Sequence, residues 1–272
     1  MKSIFITMFT VLAMTTSAMA TVEADFKNLY ETAFDNFKNR GAEAGKARAC
    51  VATAGAALKV AATAEQKYDA LVLQSRCAYY VGMKTKGDDN KVKVYKEGMK
   101  YAEDGKNVLK DRAEAYFYYG INLGRWAEAN GIMKSLGERH NLRRSMETVL
   151  VKAAKDDEGR EIAGKDYDGW GANRTLGRMY FKLPGMFGGD NDKAEKLLRE
   201  AVANTPSDYK NSLNVYYLAE VLIAKSKIAE AKKVLDELIS YESRPEKYNP
   251  RRIPETLDDI ALAKAIRKEL GN

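Results

Sequence analysis

Histidine is almost missing from this chain: His140 stands alone among 272 residues. Any catalytic triad that needs imidazole would rest on that one side chain, flanked by Arg139 and Asn141 and read here as a surface residue. Two cysteines and one histidine cannot build a Cys-rich zinc site. Proline is scarce as well, with five residues and none between Val22 and Leu183, so no residue of the helix-breaking type interrupts that stretch. No alternation of apolar and polar residues extends beyond four positions, which argues against a sheet. The motifs of serine hydrolases (Gly-x-Ser-x-Gly), zinc proteases (His-Glu-x-x-His), P-loop enzymes and dinucleotide-binding folds are missing too. Asp166-Tyr167-Asp168-Gly169 opens like a calcium loop, but its twelfth position is Gly177, where a bidentate Glu is required. The 38 acidic residues lie on helical surfaces and single out no carboxylate pair for acid–base work. The expectation is a protein without enzymatic activity, cofactor or metal.

No apolar run reaches the roughly 18 residues that a membrane-spanning helix needs. The longest, Ile4 to Met14, follows Lys2 and precedes Ala18-Met19-Ala20, the order of a secretory leader with a small-x-small cleavage site. Residues 1–20 are therefore expected to be removed, leaving one α-helical domain over residues 21–272 exported to the periplasm or an equivalent compartment, with no transmembrane segment. The charge is +7, from 45 basic and 38 acidic residues. An exported chain rarely meets nucleic acid, so the excess reads as a solvated basic surface or one for anionic ligands.

What is present is helical periodicity. Phe26, Leu29, Tyr30, Ala33, Phe34 and Phe37 follow the i, i+3, i+4, i+7 template and form one buried stripe. Ala42 to Ala61 is rich in alanine and reads as a closely packed helix. Thr63 suits the cap of the next helix, Ala64 to Lys84, and Gly87 to Asn90 reads as a polar turn. Further helices are expected over Lys91–Gly105, Arg112–Asn130 and Met133–Lys155, with a loop over Asp156–Gly171. Thr256 with Asp259 resembles a capping box that opens a terminal helix ending at Leu270. The expected fold is all-α, about ten helices with antiparallel neighbours.

Between Trp170 and Ser240 the spacings are those of tetratricopeptide (TPR) hairpins. Leu176-Gly177-x-x-Tyr180 supplies the helix A pattern, in which a small Gly admits the crossing helix. Ala194, Leu198, Ala201 and Pro206 supply helix B and its stop. A second unit repeats this with Leu218-Ala219-x-x-Leu222, then Ala231, Leu235 and Leu238. The repeats define a TPR-like helical-hairpin array, or α-solenoid, with a right-handed superhelical tendency over residues 170–240. A helix at about 255–270 covers its last apolar face.

The segment from Gly171 to Asp190 inserts Leu183-Pro184-Gly185-Met186-Phe187-Gly188-Gly189-Asp190 between helices A and B. With Lys193-Ala194-Glu195-Lys196-Leu197-Leu198 after it, this insert resembles the TPR-containing T component of bacterial TRAP transporters over about residues 170–240. The resemblance implies a periplasmic helical protein that oligomerises, assembles with a solute-binding protein and helps to pass small hydrophobic or carboxylate-bearing solutes. Unlike lipidated members, this chain has no cysteine near the expected cleavage site.

Four residues stand out as candidate binding positions. Trp170, Asn173 and Arg174 fall on the first turn of a helix A, whose outer residues line the groove of such arrays. Arg offers a bidentate fork to a carboxylate and Trp rigid apolar area. Against this, Trp170 reads as an ordinary packing residue and Arg174 as a surface charge or a partner of the Asp166/Asp168 loop. Phe187 either faces a partner or folds back into the core. Cys50 and Cys77 are equidistant from the turn at Thr63, so they are level in an antiparallel hairpin and form either a disulfide or two buried thiols. The functional expectation is an exported mediator of protein–protein contact with a periplasmic partner. The alternative is a periplasmic binder of a small apolar or anionic ligand.

Overall fold

The computed structural model describes residues 23–41, 45–205 and 210–271. The leader read over residues 1–20 and the expected stop at Pro206 lie outside them. Eleven α-helices account for most of the described chain: α1 (23–38), α2 (Lys46–Val60), α3 (Ala64–Lys84), α4 (Asp88–Val108), α5 (Glu114–Asn130), α6 (Arg139–Val151), α7 (Gly171–Lys182), α8 (Asn191–Asn204), α9 (Ser212–Ala224), α10 (Ile228–Ile239) and α11 (Ile253–Glu269). The chain is all-helical apart from a short antiparallel pair, β1 (Ala153–Lys155) and β2 (Glu161–Ala163).

Local chemistry sets many of the boundaries. The Thr63 hydroxyl accepts from the Gln66 amide at 3.1 Å while the Gln66 side chain accepts from the Thr63 amide at 3.3 Å, a reciprocal cap for α3. Asp190 caps α8 by accepting from the amides of Asp192 and Lys193 at 3.0 and 2.9 Å. The expected turn at Gly87–Asn90 is instead the start of α4, where Asp88 and Asp89 place negative charge on the positive end of the helix dipole. Nor do Thr256 and Asp259 open α11. That helix begins at Ile253 with Pro254 in its first turn, and both expected cap residues are buried inside it.

The expected helix over Met133–Lys155 is divided. A 3₁₀ turn over Met133–Glu138 leads into α6, which ends at Val151, and the next residues pair as β1. Long-range partners account for the switch. The carbonyl of Ala153 accepts from the Ala113 amide at 2.8 Å, and the Lys155 amide donates to the Glu114 carboxylate at 2.6 Å. Between the strands, Asp156 accepts from the amides of Glu158 and Arg160, and Gly159 takes a left-handed conformation (φ 76°) open to glycine at little cost.

Successive helices pack on one another along the array. Helices α3, α5, α7, α9 and α11 also each touch the next of that set, forming one layer, while α4, α6, α8 and α10 lie between and outside them. The stripe of α1 buries Phe26, Ala33 and Phe37 against α2 and α3. The main core runs through α5 to α9, with Phe117, Leu123, Met146, Leu198, Val221 and Leu222 almost fully enclosed. Ala194 and Ala201 are wholly buried, and a Cβ on Gly177 would stand 2.8 Å from the Leu198 side chain, so α7 and α8 cross nearly backbone to side chain.

The two ends of the array meet. Arg40, just after α1, donates from Nε and Nη2 to the Glu255 carboxylate of α11 at 2.9 and 2.7 Å, and both side chains are buried. Lys84 pairs with Asp258 beside them, and Arg251 pairs with Glu158 of the β-hairpin at 2.7 Å. Helix α11 thus packs its apolar residues Ile260 and Ala263 in a cluster with Ala219, Leu235 and Leu238, while its first turns reach the N-terminal helices.

Candidate functional site

Where the α5–α9 core reaches the surface, it opens as a cleft enclosing about 80 Å³, walled by α5, α7, α9 and the turn that leads into α6. Helical periodicity supplies the wall. Ile121, Leu142, Met179, Leu183, Leu213 and Tyr217 give it an apolar floor, and Arg125, Arg174, Arg178, Lys182 and Arg139 line it with cations against Glu128 and Glu138.

Most of these charges are already engaged. Arg178 donates to Glu128 at 2.9 Å and pairs with Glu220, while its guanidinium stacks 4.3 Å from the centre of the Tyr217 ring. Arg125 donates to the other Glu128 oxygen at 3.1 Å, and Lys182 stands 3.6 Å from Glu220. Three cations therefore share two carboxylates, and the network keeps a positive excess. Burial pushes the Glu128 carboxyl up, but Arg125 and Arg178 outweigh it and hold it below the usual carboxylate range.

The residues marked in the sequence reach different places. Arg174 lines the cleft, but its guanidinium is enclosed. It donates to the Asp168 carbonyl at 3.0 Å and to Asn214 Oδ1 at 3.1 Å, and pairs with the Asp168 carboxylate. Asn173 is buried and donates to Glu200 of α8 at 3.0 Å. Trp170 caps the start of α7 with a left-handed backbone (φ 60°), and Lys165 lies 5.6 Å above its ring. Phe187 is half-buried on the 3₁₀ turn Gly185–Phe187, beside Met186, which is 84% exposed. Trp170, Asn173 and Phe187 lie outside the lining of the cleft. Cys50 of α2 and Cys77 of α3 form a disulfide with their Cα atoms 6.0 Å apart. His140 is exposed at the start of α6.

Asp168 is the hub that sequence reading had not separated from its neighbours. Asp168, Gly169 and Trp170 all have positive φ, a costly run for the two non-glycine residues. Their arrangement is held from several sides. The Asp168 carboxylate accepts from Arg252 of the α11 start at 3.1 Å and from Asn211 at 3.3 Å, and the Gly169 carbonyl accepts from Asn214 at 3.0 Å. Burial raises the Asp168 carboxyl, and Arg252 and Arg174 overcome that to keep it ionised below its ordinary range. Asp168 so ties the terminal helix to a residue of the cleft wall.

Arg125, Glu128, Arg139 and Arg178 were not singled out by sequence, since each is one charged residue among many on a helix. Only the i, i+3 spacing of Arg125 and Glu128 could have hinted at their pairing. Among the described residues no group of three or more acidic, cysteine or histidine side chains is placed to hold a metal ion, and no helix is long and apolar enough to cross a membrane. No protein-family model matches this chain, and no curated protein does.

Proposed function

We propose that this chain is a non-enzymatic binding protein of an extracytoplasmic compartment that holds a small molecule with an apolar body and an anionic group in the cleft between α5, α7 and α9. The observation that carries the reading is an apolar floor ringed by cations in excess of the carboxylates that face them. Ligand pockets have this composition, with few polar groups that orient and mostly apolar walls that supply area. The non-enzymatic part is supported by the state of Glu128, whose oxygens are both taken by guanidiniums and whose low affinity for protons ill suits proton transfer. Export is supported by the Cys50–Cys77 disulfide, a bond that persists in oxidising compartments. A thermal-shift series with small apolar anions tests the reading. Members of the series are expected to raise the melting temperature at neutral pH, and no shift from any of them at saturating concentration would overturn it.

A second reading, a TPR-like array that assembles with a solute-binding protein as a TRAP-transporter accessory component, is favoured by the exposed Met186 at the tip of the insert that resembles that family. Pull-down from periplasmic extract would then recover a solute-binding protein, and Met186→Asp would lose it without altering the melt. Sedimentation of the mature chain reports the self-association that the same resemblance implies.

A further inference from the structure

We infer that Arg139 is the anion seat of the cleft and that the ligand it selects is a small apolar carboxylate; this rests on the binding reading above. The charges around the cleft single it out. Arg125 and Arg178 are taken up by Glu128 and Glu220, Lys182 by Glu220, and Arg174 by Asp168 and Asn214. Arg139 is the half-buried cation of the lining that pairs with no carboxylate among the described residues. Its Nη1 donates to the Leu136 carbonyl at 2.7 Å, which orients the guanidinium and leaves the Nε and Nη2 donors unassigned. No ion pair joins it to the neighbouring Glu138, whose carboxylate instead accepts from Asn141 at 2.8 Å.

The same turn brings a second donor. Ser135 is buried in the lining, its hydroxyl oxygen accepts from Asn130 at 3.0 Å, and its own proton has no acceptor among the described residues. A planar carboxylate suits this pairing, since two parallel N–H groups of a guanidinium match its two oxygens. The apolar floor of Ile121, Leu142, Met179 and Leu213 then receives the rest of the molecule, and the modest size of the cleft limits that body to a short chain or a single ring.

Three probes of one shape and a single ring test this: benzoate, benzyl alcohol and benzylamine, titrated by ligand-observed NMR. The carboxylate is expected to bind more tightly than the alcohol, and the amine weakest. Arg139→Gln should weaken the carboxylate by roughly tenfold or more, the scale of a lost charge-assisted hydrogen bond, with alcohol binding unchanged. Arg139→Lys should fall between, because it keeps the charge and loses the fork. If the wild-type chain binds none of the three, the cleft reading itself fails. If it binds alcohol and carboxylate and Arg139→Gln leaves both intact, or weakens both equally, the cleft stands and the assignment of Arg139 is overturned.

Discussion

At the scale of single residues, two groups make measurable claims. The Cys50–Cys77 disulfide closes a span of 27 residues, and a loop of that length contributes roughly 3–4 kcal/mol in the chain-entropy description. Reduction, or the double change Cys50→Ala/Cys77→Ala, is expected to lower the unfolding free energy in urea by about that amount, given that both side chains are small and buried against alanine. Asp259 makes a pH claim. It is almost fully enclosed in α11, and burial raises its carboxyl to about 7, only partly offset by the hydrogen bond from Ser212. The folded chain therefore keeps a proton that the unfolded chain releases near its ordinary value of about 4. Stability from this group is present below the unfolded value and declines as pH rises from about 4 towards 7. Asp168 and Asp157, held low by arginines, act oppositely, and their contribution is lost as pH falls below about 4. Melting temperature against pH should slope downwards across the upper window in the wild type, and Asp259→Asn should reduce that slope, leaving the part due to Asp69, whose carboxyl burial raises to about 6, and the acid limb unchanged.

At the scale of elements, the α7–α8 crossing depends on the missing side chain of Gly177. A methyl there would meet Leu198 at 2.8 Å and the Ala194 carbonyl at 3.3 Å. Gly177→Ala gains about 1 kcal/mol of helix propensity, which offsets part of the strain. Gly177→Val gains less and adds two more carbons, so overpacking of about 1–3 kcal/mol dominates. A urea titration should show both variants destabilised, Gly177→Val the more strongly, because the Cγ of the wholly buried Leu198 and the Ala194 backbone leave no room even for the methyl. This crossing was legible in the sequence because Leu176-Gly177-x-x-Tyr180 and Ala194, Leu198, Ala201 are local spacings with a direct geometric meaning. The cap at Thr63 and the stripe of α1 were legible for the same reason. The split of Met133–Lys155 was not, because the partners that draw Ala153 and Lys155 out of helix, Ala113 and Glu114, lie some forty residues away in the chain.

At the scale of the whole molecule, the array is joined end to end by Arg40 and Glu255. Both side chains are at most 5% exposed, and the fork of Arg40 also donates to the carbonyls of Phe37 and Arg251. Removing one member leaves a buried charge alone, at a cost of about 3–5 kcal/mol, whereas replacing both by apolar residues of similar volume is often neutral. Glu255→Ala should therefore lower stability strongly, and Arg40→Met/Glu255→Leu should recover most of the loss. Hydrogen exchange would separate the consequences: with Glu255→Ala, protection should fall in α1 and the first turns of α11 and persist in α5 to α9, where the apolar core is continuous.

The sequence by itself determined what depends on neighbours a few residues apart: an all-helical chain, the level placement of Cys50 and Cys77, and the tight contact of α7 with α8. Periodicity, caps and small-residue spacings act within one or two helical turns, so they can be read along the chain. Only the tertiary structure decided which of the 45 basic residues face one another or a carboxylate. Coulomb pairing joins residues by distance in space, and nothing in the order of residues couples Arg40 to Glu255, Arg252 to Asp168 or Arg178 to Glu128. The charged rim of the cleft, with Arg139 left without a carboxylate among the described residues, is a product of that pairing.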